Sequence, residues 1–283
     1  MSEPFVIHRG VDFGEGPRWR DGRLWFSDFY RHAVYSIGPD GGDERVEVAL
    51  GDEQPSGLGW LPDGTLLVVA MKARQVLAVD AGGSVRVHAD LSGVATGMAN
   101  DMVVSAEGHA YVGNFGFDLV GGAAFAPADL AHVTPDGDVR RVESPLAFPN
   151  GSVITSDGRT LIVGETFAGR YTSFTLADDG HPVEPRIWST VEGSAPDGCC
   201  LDAEGAVWMA DVVGNRFARV HADGTVSRVV SVDGAAVACM LGGDERRTLF
   251  GFVSPGSHPD EVAGRGLSTV VAIEVDVPAA GLP

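Results

Sequence analysis

Short apolar runs recur along this chain behind acid-glycine pairs, and their spacing predicts strands. Leu24-Trp25-Phe26 follows Asp21-Gly22, and Leu66-Leu67-Val68-Val69 follows Asp63-Gly64. Ala110-Tyr111-Val112, Leu161-Ile162-Val163 and Val207-Trp208-Met209 follow Glu107-Gly108, Asp157-Gly158 and Glu204-Gly205. A second set, Asp40-Gly41, Asp136-Gly137, Asp179-Gly180 and Asp223-Gly224, lies between the first, with Gly82-Gly83 in the same place. Such pairs between apolar runs are hairpin turns, because the turn requires positive φ and glycine supplies it at little cost.

Each unit therefore reads strand, turn, strand, loop, strand, turn, strand. The repeat is about 40–50 residues, the length of a four-stranded propeller blade. Five units are plain. A sixth is weaker and runs through Val237 to Leu241, Thr248 to Phe252 and Ser268 to Val277. No capped pattern of helical period competes for this territory. The predicted fold is all-β: a six-bladed β-propeller with four antiparallel strands per blade, residues 1–283 forming one domain. An open ring would leave two unpaired edges. The short run Phe5-Val6-Ile7-His8 is expected to pair with the last blade and close it.

Aligning the units on the first hairpin glycine exposes candidate chemistry. Eight residues before it stand Ser56, Asn100, Asn150 and Asp197, with Glu15 in the first blade and Ala238 in the sixth. These positions open the innermost strands, so they are expected to converge on one mouth of the central channel. Where the second strand returns to that face stand Asp28, Ala70, Asn114, Glu165 and Asp211, with Phe252 or Val253 in the sixth blade. Blades one, three, four and five are polar in both rings. Gathered carboxylates repel and desolvate one another unless a cation balances them. The donors are all oxygens, which suits a hard cation such as calcium, magnesium or manganese. Glu15 and Asp197 carry two charges, enough for one divalent ion, and the mixed carboxylate and amide set with water fits calcium slightly better than magnesium. Turn chemistry accounts for any one of these residues alone.

Composition narrows the partners. The 283 residues carry 39 acids against 20 bases, a net charge of −19, which argues against nucleic acid and anionic membrane surfaces. No stretch approaches the roughly 20 apolar residues of a membrane span, and the N-terminus has no signal-peptide pattern. Three cysteines, Cys199, Cys200 and Cys239, do not make a disulfide framework and are expected to pack in the core. The eight histidines are scattered, and none falls in either ring. The expectation is a cytoplasmic monomer acting on a small molecule.

The segments Gly14-Glu15-Gly16-Pro17 with Trp19, Asn100-Asp101, Pro149-Asn150-Gly151, Pro196-Asp197-Gly198-Cys199, Cys239-Met240-Leu241-Gly242-Gly243 and the tail Pro278 to Pro283 resemble the senescence-marker-protein/gluconolactonase family of six-bladed propellers, which includes regucalcin. The resemblance covers essentially the whole chain. It implies that Glu15, Asn150 and Asp197 bind one divalent metal ion, Ca2+ by preference, with Zn2+, Mn2+, Mg2+ or Fe2+ as the other choices. It also implies that Asn100 contacts the metal site or substrate and that Asp197 is the general base of lactone hydrolysis. One departure matters. Sugar-lactonase members carry Arg where this chain has Met98, and a thioether cannot fork onto oxygens as a guanidinium does. A less polar lactone or ester is therefore expected, unless another arginine such as Arg18 or Arg170 takes over. Asn114, Glu165 and Asp211 are expected to form the pocket wall or to support it from behind, Phe115 to contact the substrate, and Phe115 to Ala131 to act as a lid or apolar wall over blade three. A metal- or ligand-binding propeller without turnover, and a metal-dependent phosphotriesterase, are the alternative readings.

Overall fold

The computed structural model describes residues 3–281. The acid-glycine pairs make the turns expected of them: Gly22 and Gly64 close the first hairpins of blades one and two at φ +74° and +89°. Between the turns the chain forms six separate four-stranded antiparallel sheets. The innermost strands are Gly14–Arg20, Pro55–Trp60, Ala99–Val104, Pro149–Ile154, Pro196–Leu201 and Ala235–Gly242. In blades one to five the other three strands follow in chain order outward. The sixth sheet takes its outermost strand from the other end of the chain, since Phe5–Val11 pairs antiparallel with Ser268–Glu274, Phe5 opposite Ala272 and Val11 opposite Ser268. The ring is thus closed by the N-terminal strand.

Alternation of side chains accounts for the core. Inner strands face sheets on both sides and are buried almost throughout, whereas outermost strands such as Val85–Asp90 are largely exposed. Aromatic residues fill the wedge between blades: Trp19 stacks on Phe250 at 5.3 Å and Trp25 meets Trp60 edge-on at 5.4 Å, spacings at which ring quadrupoles attract. All three cysteines are free and buried. Among the described residues helix is confined to one turn, Pro259–Val262, and a short 3-10 segment, Thr166–Ala168. No helix among the described residues is long and apolar enough to cross a membrane.

One irregularity repeats in every blade. The pairing of the innermost strand with the second slips at Glu15/Arg18, Pro55/Leu58, Ala99/Met102, Pro149/Ser152, Pro196/Cys199 and Ala236/Ala238. Each slip is a β-bulge, which bends the strand and re-aims a side chain. In blade six this register puts Val237, not Ala238, at the position of Asp197, and Val253 at the returning position.

Candidate functional site at the channel mouth

The repeated bulge explains why residues remote in sequence meet. Glu15, Ser56, Asn100, Asn150 and Asp197 each stand at the bulge of their strand, and all are buried. In four blades the next residue is glycine, because the innermost strands approach too closely for a side chain. A Cβ on Gly57 would lie 2.2 Å from the Met102 nitrogen, and one on Gly151 would lie 2.3 Å from the Asp197 carbonyl oxygen.

Glu15, Asn100, Asn150 and Asp197 open together into a cleft of about 810 Å³. Asn150 Nδ2 donates to Asp197 Oδ1 and reaches Thr166 Oγ1 at 3.2 Å. Among the described residues the only hydrogen bond to the Glu15 carboxylate is a long one, from the Gly16 amide at 3.3 Å. Burial, then the charges of Asp197 and Asp101, push Glu15 well above the usual carboxylate range. Burial, then Asp101, do the same to Asp197 against the opposing Asn150 hydrogen bond. Among the described residues no cationic side chain is bonded to either acid, although Arg18 acts on Glu15 from farther away. Beside them Asn100 Nδ2 is buried without a hydrogen-bond partner, as is the Ser56 hydroxyl.

Much of the remaining wall is apolar, although Gln54, Lys72, Asp118 and His258 also line the cleft. Phe115, Phe117, Phe148, Phe167 and Met98 line one side, and Phe13, Phe29 and Tyr30 the other. Phe115 stacks on Phe148 at 4.6 Å, and Phe148 on Phe167 at 4.9 Å. The expected role of the 115–131 segment as an apolar wall rests on Phe115 and Phe117, both buried. Phe125 lies half exposed against Phe117.

Asn114 and Glu165 do not line the cleft themselves and stand behind it. Asn114 accepts from the Thr96 and Gly116 amides and donates to the Asp129 carbonyl. Glu165 accepts from Arg170 Nε at 2.6 Å, Thr172 Oγ1 at 2.6 Å and the Ala147 amide at 2.8 Å. Burial raises its pKa, but these bonds outweigh burial and leave it lowered. Asp28 takes the Asp12 and Phe13 amides, and Asp211 the Ala195 and Gly214 amides. The returning ring is therefore a set of clamps that tie each blade's entry and exit loops. Blade two, which has Ala70 there, uses Glu53, which accepts from the Lys72 and Ala73 amides.

Neither arginine considered as a substitute for the missing one faces the cleft. Arg170 is bonded to Glu165. Arg18 is buried and held by the Pro17 and Met102 carbonyls and by Asp101, 3.6 Å away. The sequence carried a signal for Asp101: it stands where blades one, two, four and five have glycine.

Could the mouth hold a cation? Among the described residues no three His, Cys, Asp or Glu side chains group to hold a metal by themselves. The candidate set is instead two carboxylates and an amide. Two buried acids that form no ion pair among the described residues, joined by the Asn150 amide, are a donor set that a hard divalent cation would complete.

A six-bladed ring with a buried acid pair at one mouth defines the class of protein. The family profile described as SMP-30/Gluconolactonase/LRE-like region matches residues 13–252, and the chain belongs to that family. The pentonolactonase XacC of Haloferax volcanii is 26% identical over 296 residues, covering 100% of this chain and 97% of that protein. A lactonase drp35 of Staphylococcus aureus is 24% identical over 205 residues, 68% of this chain and 60% of that protein. Among solved structures, a luciferin-regenerating enzyme superposes with TM-score 0.83 at 18% identity, over 99% of this chain and 98% of that one. A calcium-binding regucalcin of Agrobacterium tumefaciens gives 0.80 at 22%, over 100% and 97%. These superpositions show the shared fold.

Proposed function

We propose that this protein is a divalent-metal-dependent lactonase whose substrate is less polar than a sugar lactone. The observation that carries the reading is the pair of buried carboxylates, Glu15 and Asp197, neither in an ion pair among the described residues, facing a largely apolar cleft. The lactonase names of the two curated relatives support the reaction class.

Glu15, Asn150 and Asp197 would hold the ion, calcium by preference. When bound, it would supply Lewis-acid polarisation of the ester carbonyl. Asp197 takes the proton from the attacking water, a role suited to a dry carboxylate oriented by the Asn150 amide. The unpartnered Asn100 Nδ2 donates to an oxygen of the lactone, acting as a preorganised dipole. The aromatic walls and Met98 bind the apolar part of the ring and keep bulk water out. With Arg18 and Arg170 committed to Asp101 and Glu165, no guanidinium is free in the cleft for polyol hydroxyls or a carboxylate. The product is the open hydroxy acid, which releases one proton at neutral pH.

Proton release on a panel of lactones and one phosphotriester, with and without chelator, tests the reading. Chelator-sensitive hydrolysis that favours apolar lactones supports it. Metal binding without turnover on any substrate overturns it in favour of a binding protein, and turnover untouched by chelator removes the metal.

A further inference from the structure

Three carboxylates, Glu15, Asp101 and Asp197, come to one end of the channel, and Arg18 is the cation paired with one of them. Arg18 enters from blade one, three residues after Glu15, and Asp101 from blade three, beside Asn100. Their side chains are 3% and 5% exposed, with Arg18 Nη2 3.6 Å from Asp101 Oδ1. The guanidinium is fixed from several directions. Nη1 donates to the Pro17 carbonyl at 2.7 Å, and Nη2 to the Met102 carbonyl across the channel. Asp101 in turn accepts from the Met102 amide at 2.8 Å. Arg18 borders the narrow space deeper in the channel, with Cys199, Met240 and Ala279, and not the cleft itself. It cannot turn toward Glu15 or Asp197 without abandoning Asp101 as an unpaired buried charge, which is strongly unfavourable.

The blade repeat marks this pair as a specific feature. Gly16, Gly57, Gly151 and Gly198 occupy the position after the bulge residue in four blades, where a Cβ would meet backbone at 2.7 Å or less. Blade three alone among these five carries a charged side chain there, and that charge meets a buried arginine. Asp101 is close enough to act electrostatically on both Glu15 and Asp197, and Arg18 acts on Glu15 in the opposite sense. The neutralisation of Asp101 is therefore felt at both.

We propose that Arg18 and Asp101 form a charge-setting pair: Arg18 cancels Asp101, so that the channel mouth presents the two charges of Glu15 and Asp197 and is matched to a divalent cation over a trivalent one. The proposal rests on the metal-site part of the function given above, and not on which lactone is the substrate. The pair acts through the ligands and is a positioning pair. Without Arg18 the cluster carries three charges, and a trivalent ion gains more from the added field than a divalent one.

The test is calorimetric titration of metal-free protein with Ca2+ and with Tb3+, a trivalent oxygen-seeking probe. The readout is the ratio of the Ca2+ Kd to the Tb3+ Kd. Arg18→Met is expected to raise that ratio about tenfold. Asp101→Asn is expected to lower it. The double variant, which removes both charges, is expected to return it to within about threefold of wild type. A ratio unmoved in the single variants, or a double variant that does not restore it, overturns the proposal. Should Arg18→Met fail to fold, Asp101→Asn against the double variant makes the same comparison. Wild-type protein that binds neither ion overturns the metal site itself. Normal wild-type binding with unshifted variants overturns the pair alone. A purely structural role for the pair would lower melting temperatures without moving the ratio.

Discussion

Asn150 and Asp197, 47 residues apart in the chain, are joined by a hydrogen bond from the Asn150 amide to the Asp197 carboxylate across the boundary between blades four and five. The contact fixes the rotamer of the proposed base and brings an amide oxygen beside the acid pair. Asn150→Ala is therefore expected to lower kcat/KM for the best lactone by about 10²-fold, within the range of a misplaced general base. Circular dichroism should be unchanged, since neither residue carries the packing of its blade. Kinetics on the purified variant checks this, and wild-type activity would separate the contact from catalysis.

Ion binding to the folded chain alone adds stability by mass action. At a cation concentration 100 times its Kd the gain is about 2.7 kcal/mol. Chelator treatment should lower the melting temperature of wild-type protein by on the order of 5 °C, and readdition should restore it. Glu15→Gln should abolish most of that response. Scanning calorimetry with and without chelator is the measurement, and identical melts in the two would contradict an ion at this mouth.

The blades were legible because hairpin turns are local. Asp21-Gly22 and Asp63-Gly64 advertise themselves in two residues, and the apolar runs behind them alternate at the period of a strand. The inner ring was legible for a related reason: a repeat copies position, so Glu15, Asn100, Asn150 and Asp197 were aligned before any contact was known. What a repeat does not reveal is which way a side chain points. The returning ring repeats as well, but Asn114 and Glu165 spend their oxygens on loop amides, because loop ends need acceptors as much as metals do. The sixth blade was misaligned by one residue, since its bulge at Val237 leaves no mark in an apolar run. The aromatic wall from Phe148 and Phe167 and the partnership of Arg18 with Asp101 are long-range contacts between blades, beyond the reach of local pattern.

The clamp assignment separates two residues that sequence grouped together. Glu165 is fully buried and holds Arg170, Thr172 and the Ala147 amide. Glu165→Ala strips partners from all three and should cost about 3 kcal/mol, read as a shifted urea midpoint, while KM for the lactone stays near wild type. Asn100→Ala should do the opposite, leaving stability nearly intact and lowering kcat/KM. A Glu165→Ala protein that is as stable as wild type but impaired in KM would put Glu165 back in the substrate site.

Three histidines absent from both rings form a chain at the seam of blades three and four. His109 Nδ1 lies 3.0 Å from His132 Nε2, and His132 Nδ1 lies 3.2 Å from His181 Nδ1. His132 is completely buried and stacks on Tyr111 at 5.3 Å. Burial first, then His109, His181 and Arg140, push its pKa down to about 4 against the opposing charge of Asp179. The unfolded chain titrates this group near the ordinary value of about 6.5. Above that value neither state binds the proton, and His132 adds no pH dependence. As pH falls from about 6.5 toward 4 the unfolded state takes up the proton first, so stability declines through that window and levels off below it. The loss assigned to this residue is on the order of 2 kcal/mol. Urea midpoints of wild type and His132→Leu between pH 7.5 and pH 4.5 isolate it. The variant starts less stable because His109 and His181 lose a partner, yet should lose less on acidification. Parallel pH slopes in the two proteins would show that the seam is held by other groups.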